Sequence, residues 1–368
     1  MSKEINIRFL FAGGGTGGHL FPALAVAESI RRLMPEADIM FIGTKNKIEG
    51  RVVPKAGFKF KSVWIKGFSR KFTLENLLFP VKLVYSVAQC LAINFKFKPD
   101  VAIGSGGYVS GPAIWAAAKA GAKILILEQN SFPGKTTKML EKYAEEVHVS
   151  YEDSKKYFTK KEKVFVTGNP VRENLKLIEK KIALSQLNLS NSKKVLLILG
   201  GSLGADSINK SLSQIVNKLE ENNIQVIWQT GKNYIEEYKK YNSENIKVNA
   251  FIEDMNLVYS ACDLLISRAG ATTIAEISEL GIPSILIPSP NVAENHQYYN
   301  AKSLSDKNAA VLIEDKNIDK ELFDCILLLI NDEDKLRILN ENALKNRKGN
   351  SAEVIAKRAI EMAKRNDR

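Results

Sequence analysis

The sequence predicts an α/β protein made of two domains, each built on a parallel β-sheet with helices on both faces. Short apolar segments without polar alternation recur along the chain, separated by amphipathic segments, as expected for buried parallel strands and crossover helices. The pattern pauses in a charged stretch at residues 172–194 and then starts again. With 368 residues, the chain is long enough for two domains of ordinary size.

Each half of the chain contains five predicted strands. Those of the first half are residues 5–11, 39–42, 101–103, 124–127 and 147–149. Those of the second half are residues 195–199, 225–229, 246–251, 264–266 and 284–287. We therefore expect one domain at residues 1–168 and another at 169–350, with a ligand bound between them at the carboxyl ends of the strands.

The charge of the chain is distributed unevenly. Residues 1–168 hold 26 Lys and Arg against 14 Asp and Glu, whereas residues 169–368 hold 27 of each kind. The first half is therefore expected to face an anionic partner. The three cysteines lack the spacing of a disulfide framework or a zinc site. The apolar stretch 83–95 is shorter than the ~20 residues that a membrane-spanning helix needs.

Three glycine-rich turns, at residues 12–18, 104–112 and 200–205, each follow a predicted strand. A turn between a strand and a helix can bring backbone N–H groups against a phosphate. One such turn could equally be structural, but three in corresponding places favour phosphate binding. His19 directly follows the first turn and adds a possible proton acceptor, so the pattern indicates chemistry on a phosphorylated substrate.

A dinucleotide-binding oxidoreductase is the first alternative. Its fingerprint needs an acidic residue at the end of the second strand, where this chain has Gly43, Thr44 and Lys45. Lys45 keeps NADP open as a ligand. A basic nucleic-acid-binding protein is a further alternative, although the sequence contains no helix-turn-helix, zinc-finger or RNA-binding motif.

Eight segments occur in the order and character of a known family. They are GGTGGH at 14–19, the turn at 104–111, EQN at 128–130, GNPVR at 168–172, GGSLGA at 200–205, FIEDM at 251–255, SRAGATTIAE at 267–276 and NHQYYNA at 295–301. Together they resemble the family 28 glycosyltransferases, the N-acetylglucosaminyltransferases that form the lipid-linked disaccharide precursor of peptidoglycan. The resemblance implies the GT-B fold, with two Rossmann-like parallel-sheet domains facing a central cleft, and a C-terminal helix at 351–368 that packs back on the first domain.

The resemblance also implies the reaction and the place of the enzyme. N-acetylglucosamine would be transferred with inversion from UDP-N-acetylglucosamine to the C4 hydroxyl of undecaprenyl-pyrophosphoryl-N-acetylmuramyl-pentapeptide, for cell-wall synthesis, cell shape and division. The enzyme would lie peripherally on the cytoplasmic face of the plasma (inner) membrane. Another UDP-sugar enzyme of the GT-B fold, either a glycolipid glycosyltransferase or an epimerase, stays open as an alternative.

His19 is the predicted catalytic base, because an imidazole with a pKa near ~6.5 accepts a proton at neutral pH. Two other interpretations stay open. His19 could only hydrogen-bond the backbone or an acceptor phosphate, and Glu128 could be the base, although orienting a loop fits its position better. No Asp-x-Asp motif is present. We therefore expect no metal site and no cofactor, with a divalent cation at most stimulating the reaction.

The resemblance implies two sets of binding residues. UDP-N-acetylglucosamine would contact Thr16, Gly17, Gly18, Asn130, Arg172, Ser202, Ile252, Ala271, Thr272, Thr273, Ile274, Ala275, Glu276 and Gln297. Within this set, Glu276 would bind the ribose hydroxyls and the backbone of Ile252 the uracil. The acceptor diphosphate would contact Gly14, Gly15, Gly106, Gly107 and Tyr108. The role of His296, which stands where many relatives carry a second glutamine, is left open.

Basic and large apolar residues alternate at positions 64–83. Such a segment is typical of a surface that lies on anionic lipid. The predicted membrane contacts are Leu74, Leu77, Leu78, Phe79, Val81 and Lys82. For residues 83–91 the same pattern predicts a helix that belongs to the core.

Overall fold

The computed structural model describes residues 7–65, 79–201 and 203–365. The chain forms two compact units. The first comprises Met1–Glu173 and Lys348–Arg368, and the second comprises Asn174–Arg347. Each unit contains one sheet whose strands are all parallel in its described residues.

The first unit contains a seven-stranded sheet in the order β3-β2-β1-β4-β5-β6-β7. Its strands are β1 Arg8–Gly13, β2 Asp38–Gly43, β3 Lys59–Ser62, β4 Val101–Gly106, β5 Lys123–Glu128, β6 Ala144–Val149 and β7 Val164–Val166. Its helices include α1 Gly17–Leu33, α2 Ile48–Lys55, α3 Phe79–Phe97, α4 Ser110–Lys119 and α5 Lys135–Leu140. Alternate residues of β1 enter two separate cores, because successive side chains of a strand point to opposite faces. Phe9 and Phe11 pack with α1, whereas Leu10 and Ala12 pack with α4.

The chain returns to the first unit with its last helix, α14 Ser351–Lys364. Ile355 and Ala359 of this helix join the core beneath α1. The Arg358 guanidinium donates two hydrogen bonds of 2.7 Å to the Glu146 carboxylate on β6 and lies 3.8 Å from the centre of the Phe165 ring. These contacts connect the end of the chain to the sheet near its β7 edge.

Two opposing effects act on this Glu146–Arg358 pair. Burial disfavours the charged form of Glu146, but hydrogen bonds from His148 and Arg358 outweigh it and lower the pKa of the carboxyl to about 2. The buried His148 imidazole lies 3.0 Å from Glu146 through Nε2. Burial lowers the pKa of His148, against the opposing influence of Glu146.

The boundary between the units lies after Glu173 rather than after residue 168 as the sequence predicted. The reason is that Glu173 binds α1. Its carboxylate accepts a hydrogen bond of 2.7 Å from the Ser29 hydroxyl and one of 3.0 Å from Arg32. The second boundary lies at Lys348, ahead of the predicted position, since a Cβ on Gly168 would lie only 2.5 Å from Cβ of Lys348.

The second unit contains a six-stranded sheet in the order β10-β9-β8-β11-β12-β13. Its strands are β8 Lys194–Leu199, β9 Ile224–Gln229, β10 Ile246–Asn249, β11 Leu264–Ser267, β12 Ser284–Leu286 and β13 Val311–Leu312. Its helices include α6 Lys180–Gln186, α7 Asp206–Glu221, α8 Ile235–Tyr238, α9 Met255–Ala261, α10 Ala271–Leu280, α11 His296–Ser305, α12 Ile318–Ile330 and α13 Glu333–Lys345. The predicted strand at 246–251 therefore ends at Asn249.

Helix α3 confirms the predicted helix at 83–91, and Cys90 joins the core with Leu91 packed against it, but the first turn of that segment is exposed. Its buried face carries Ser86, Cys90 and Asn94, and the Asn94 side chain donates to the Cys90 and Ala113 carbonyls. Large apolar side chains instead face outward near its start, where Val84 is 70% exposed and Tyr85 52% exposed. Small and polar residues therefore share the buried face of α3 with apolar ones such as Phe97, and this face packs on the alanine-rich α4.

Candidate active site

Each unit has a point at which the strand order reverses, and a glycine turn lies there. In the first unit, β1 and β4 are neighbours. The chain continues from β1 to β2 toward one edge of the sheet and from β4 to β5 toward the other edge. In the second unit the same is true of β8 and β11. Ligands of open parallel sheets bind at such reversal points, outside the carboxyl ends of the strands. The topology therefore marks one candidate site in each unit.

The two glycine turns of the first unit touch each other. A Cβ on Gly107 would lie 2.5 Å from the Gly14 carbonyl oxygen, and one on Gly15 would lie 3.2 Å from the Tyr108 ring. Gly15, Gly106 and Gly107 all have positive φ angles, which glycine adopts without strain. The structure thus brings together the five residues predicted to hold the acceptor diphosphate.

His19 lies at this junction, in the first turn of α1. A Cβ on Gly106 would be only 2.8 Å from Nδ1 of the imidazole, so the ring packs directly on the second glycine turn. Nδ1 is also 3.2 Å from Oε1 of Gln129. Gln129 follows β5 and is 2% exposed. Sequence reasoning assigned no role to Gln129, although it stands between Glu128 and Asn130.

A buried carboxylate, Glu49, lies beneath the first glycine turn. It accepts a hydrogen bond of 3.0 Å from the Gly15 N–H and two more from the N–H and hydroxyl of Thr44, at 3.0 and 2.6 Å. A Cβ on Gly14 would lie 2.5 Å from this carboxyl group, so a larger residue there would require the Glu49 side chain to move. Sequence reasoning missed Glu49. Because Glu49 already accepts a hydrogen bond from the Gly15 N–H, that N–H is not available to an acceptor diphosphate in this structure.

The buried Glu128 organises the loop after β5. One carboxylate oxygen accepts hydrogen bonds from the backbone and side-chain N–H groups of Asn130, at 3.0 and 3.3 Å. The other oxygen accepts one of 3.0 Å from the Gly134 N–H. These bonds confirm the predicted loop-orienting role of Glu128.

The predicted donor contacts of the first unit surround the start of α1. Thr16 occupies the N-cap position, and its side chain makes no capping hydrogen bond within the described residues. The helix then begins with Gly17 and Gly18, whose N–H groups belong to the unpaired first turn. The Arg172 guanidinium lies 6.0 Å from the centre of the Phe21 ring on the same helix, so Arg172 belongs to this unit.

In the second unit, the residues from Ala271 to Glu276 form the first turns of α10. The N-cap is Gly270, which has no side chain to pair with the N–H groups of the helix. Thr273, Ile274 and Ala275 follow in these turns. The Thr272 hydroxyl is buried and has no hydrogen-bond partner among the described residues. An uncapped helix start with a buried hydroxyl of this kind favours an anion.

Of three further residues predicted to contact the UDP-sugar, two already form hydrogen bonds within the protein and one lies outside the described residues. The buried Glu276 carboxylate accepts a hydrogen bond of 2.7 Å from the Tyr259 hydroxyl, which sequence reasoning missed. The Ile252 N–H donates to Oε1 of Gln229 at 2.8 Å, so Gln229 must move if that N–H is to contact uracil. Ser202 lies outside the described residues.

Gln297 lies in the first turn of α11. Its Oε1 accepts a hydrogen bond of 2.9 Å from the Ser289 N–H. This bond orients the side chain and leaves the amide NH₂ as the group suited to contact a sugar hydroxyl. His296 is the first residue of the same helix.

Arg268, in the turn after β11, supports the second site without facing it. Its guanidinium donates to the Ile287 and Pro288 carbonyls at 3.2 and 3.3 Å and to the Ser207 hydroxyl at 2.7 Å. It also pairs with Asp315. These contacts connect the turn after β11 to the segment after β12, to the start of α7 and to the 3-10 helix Asp315–Asn317.

Residues 7–65, 79–201 and 203–365 contain no group of three or more His, Cys, Asp or Glu side chains placed to hold a metal ion. Their helices include none with the length and apolar character needed to cross a bilayer.

Comparison with known proteins agrees with this architecture. The glycosyltransferase family 28 N-terminal domain matches residues 9–149, and the family 28 C-terminal domain matches residues 195–359. The chain belongs to glycosyltransferase family 28. This family 28 enzyme therefore has the GT-B fold, and the oxidoreductase and nucleic-acid-binding alternatives do not apply.

Curated relatives extend the match over nearly the whole chain. A Bacteroides thetaiotaomicron protein is 44% identical over 371 residues, covering 99% of both chains, and one from Christiangramia forsetii is 42% identical over 341 residues, covering 92% of this chain and 93% of its own. Both are named UDP-N-acetylglucosamine--N-acetylmuramyl-(pentapeptide) pyrophosphoryl-undecaprenol N-acetylglucosamine transferase. The crystal structure of Acinetobacter baumannii MurG has a TM-score of 0.75 and 26% identity, covering 96% of this chain and 99% of that one.

Proposed function

We propose that this family 28 enzyme transfers N-acetylglucosamine from UDP-N-acetylglucosamine to the C4 hydroxyl of undecaprenyl-pyrophosphoryl-N-acetylmuramyl-pentapeptide. The names of its relatives support this pair of substrates. The observation that carries the chemistry is the position of His19, whose imidazole packs against the second glycine turn at the reversal point of the first sheet.

In the proposed reaction the acceptor hydroxyl attacks the anomeric carbon of the donor sugar. The new bond joins that oxygen to the anomeric carbon, and the bond from the anomeric carbon to the diphosphate oxygen breaks with inversion. His19 accepts the hydroxyl proton, and UDP leaves with the electron pair. A positioned general base of this kind contributes about 10²–10⁴-fold to the rate.

The departing diphosphate needs compensation for its developing negative charge. In our proposal the uncapped N-terminus of α10 and the Thr272 hydroxyl supply it, because backbone dipoles aimed at a leaving group need no reorganisation during the reaction. Arg172 is a further predicted contact of the donor phosphates. No resident metal or cofactor enters this proposal, and a divalent cation would at most stimulate the reaction.

We also place the enzyme peripherally at the cytoplasmic face of the plasma membrane, because its acceptor carries a polyprenyl tail. The exposed apolar side chains of α3, among them Val81, Val84 and Tyr85, support this placement. The Lys82 ammonium lies 5.4 Å from the centre of the Trp64 ring, so a basic and an aromatic side chain lie beside them. Of the predicted contacts, Leu74, Leu77 and Leu78 lie outside the described residues, and the side chain of Phe79 is not described.

A single assay tests the proposed reaction. The full chain is incubated with radiolabelled UDP-N-acetylglucosamine and a lipid-linked muramyl-pentapeptide acceptor, and label is followed into the lipid. We expect an acceptor-dependent disaccharide lipid and an equal amount of UDP. Label that enters an acceptor lipid without a muramyl sugar would instead indicate a different glycolipid transferase. Conversion of the donor to an epimer without any acceptor would indicate a UDP-sugar epimerase.

A further inference from the structure

Gln129 makes a buried contact with the proposed base. Its Oε1 lies 3.2 Å from Nδ1 of His19, and its side chain is almost fully enclosed. A buried amide keeps its orientation only when both of its ends have suitable partners. The contact therefore constrains both side chains. The partner of the amide NH₂ group determines which of the two atoms, Oε1 of Gln129 or Nδ1 of His19, donates the hydrogen bond.

The orientation of the amide follows from Leu127. The Gln129 NH₂ group donates to the Leu127 carbonyl oxygen at 3.4 Å. With the amide reversed, two oxygen acceptors would face each other at Leu127. The hydrogen-bond network therefore assigns Oε1 to the His19 side, and an amide oxygen can only accept. Nδ1 of His19 must then be the donor, which makes it the protonated nitrogen of the neutral ring.

The glycine turn fixes the plane of the same ring. A Cβ on Gly106 would lie 2.8 Å from Nδ1 and 2.9 Å from Cε1, and one on Gly107 would lie 3.5 Å from Cδ2. The imidazole cannot turn over without losing the bond to Gln129. In the part of the chain that the structure describes, Nε2 of His19 has no hydrogen-bond partner, so its lone pair remains available for a substrate proton.

We propose that Gln129 is a positioning residue that keeps the proton of neutral His19 on Nδ1 and so makes Nε2 the atom that removes the acceptor's proton. This inference rests on the proposed function, in which His19 is the base. A neutral amide suits the task, because it selects the tautomer without the negative charge by which a carboxylate would favour the imidazolium. A histidine base in the wrong tautomer presents an N–H to the substrate and cannot accept its proton.

Two variants and two measurements test the role of Gln129. Gln129→Met keeps the length of the side chain but removes the amide oxygen, whereas Gln129→Glu keeps an oxygen acceptor and adds charge. ¹⁵N NMR of histidine-labelled full chain reports the tautomer of His19, with its signals identified by their loss in His19→Gln. Initial rates with both substrates give kcat and the donor KM as functions of pH. Gln225→Met serves as the control, because Gln225 is a buried glutamine of the second unit that hydrogen-bonds the Ser190 backbone.

We expect His19 of the unmodified chain to carry its proton on Nδ1 and the Met variant to populate the other tautomer. The Met variant should lose at least about tenfold in kcat with an unchanged donor KM. The Glu variant should keep the Nδ1–H tautomer, recover part of kcat at high pH, and shift the acidic limb of the pH profile to higher pH. A proton on Nε2 in the unmodified chain, or an unchanged kcat in the Met variant, would overturn the proposal.

Failure of the proposed function would look different. It would appear as absent acceptor-dependent transfer by the unmodified chain, or as full activity of His19→Ala. The NMR tautomer of His19 is measured without substrates, so it still reports whether Gln129 orients the ring.

Discussion

The two units share one topology but carry different chemistry at the reversal point of the sheet. In the first unit, a buried carboxylate, Glu49, already occupies an N–H of the glycine turn, and an imidazole packs against the neighbouring turn. In the second unit, the corresponding helix start has a glycine cap and a buried Thr272 hydroxyl without a partner among the described residues. A glycine turn after a parallel strand therefore predicts a site but not its ligand. The side chains around the turn decide between proton transfer and anion binding.

Removing the imidazole of His19 tests the proposed role of the first unit in proton transfer, and it should have the largest effect. We expect His19→Ala to lower kcat by about 10²–10⁴-fold, because the acceptor hydroxyl loses its base. Binding of UDP, measured by calorimetry, should stay within about twofold, since the nucleotide contacts are proposed in the second unit. Near-normal turnover in this variant would remove His19 from the role of base and leave the first unit without assigned chemistry.

The fold could be predicted from the sequence wherever a strand is buried on both faces. Such strands appear as continuous apolar runs, and all ten predicted segments overlap a strand of the structure. The three strands that were missed, β3, β7 and β13, all lie at sheet edges. Strand β3, for example, has the sequence KFKS and is mostly exposed, so it contains no apolar run from which a strand could be predicted. Strands β7 and β13 are apolar but only three and two residues long, too short to stand out as apolar runs.

Helix α3 shows a second limit of the sequence pattern. An apolar run was taken as core, but the structure buries Ser86, Cys90 and Asn94 and exposes Val84 and Tyr85. Hydrophobicity predicts burial only on average, and small residues allow the closer approach of two helices. Packing on α4 determines which face of α3 is buried, and this contact cannot be seen in a single sequence.

The glycine turns and His19 could be found in the sequence, because residue type alone suggests their chemistry. Glu49, Gln129 and Tyr259 could not, since each acts by contacting a residue far away in the sequence. Long-range contacts of this kind leave no local signal. The segment EQN at 128–130 was noted as part of the resemblance, yet only the structure directs Gln129 toward His19.

The next largest effect should come from the second unit. We expect Glu276→Ala to raise the donor KM by about 100-fold with a small change in kcat, because charge-assisted hydrogen bonds to two ribose hydroxyls would be lost. Glu279→Ala is a matched control on the same helix, since Glu279 forms an ion pair with the more exposed Arg347. A donor KM that stays the same in both variants would contradict the ribose assignment.

The comparison also extends to stability, because the first unit is closed by a distant segment of chain and the second is continuous. We expect Arg358→Leu to lower the free energy of unfolding by about 2 kcal/mol, since the buried Glu146 carboxylate loses its guanidinium partner and keeps only His148. Arg337→Leu is the control, because Arg337 forms only exposed ion pairs on α13. Equal loss in the two variants, measured by urea denaturation, would show that the Glu146 contact contributes nothing specific.

Acid should weaken the same contact. The pKa of Glu146 is lowered to about 2, so its stabilising effect is present above the ordinary value of 4.5 and is lost as the pH falls toward 2. The pKa of the buried His148 is also lowered, so the unfolded chain takes up that proton more readily than the folded chain below pH 6.5. Both effects have the same sign. We expect stability to decline between pH 6.5 and 3 and to decline less steeply in Glu146→Gln with His148→Phe, as followed by Tm against pH.

The smallest expected effect concerns the exposed apolar surface of α3 in the first unit. Replacing Val84 and Tyr85 by serine should weaken co-sedimentation with anionic vesicles by about three- to tenfold, because two exposed apolar side chains no longer enter the lipid interface. The control replaces Leu328 and Ile338, exposed apolar residues of the second unit, in the same way. A drop of similar size in the control would indicate general loss of surface hydrophobicity rather than docking through α3. Undiminished binding of the Val84 and Tyr85 variant would show that these exposed side chains of α3 do not contact the lipid.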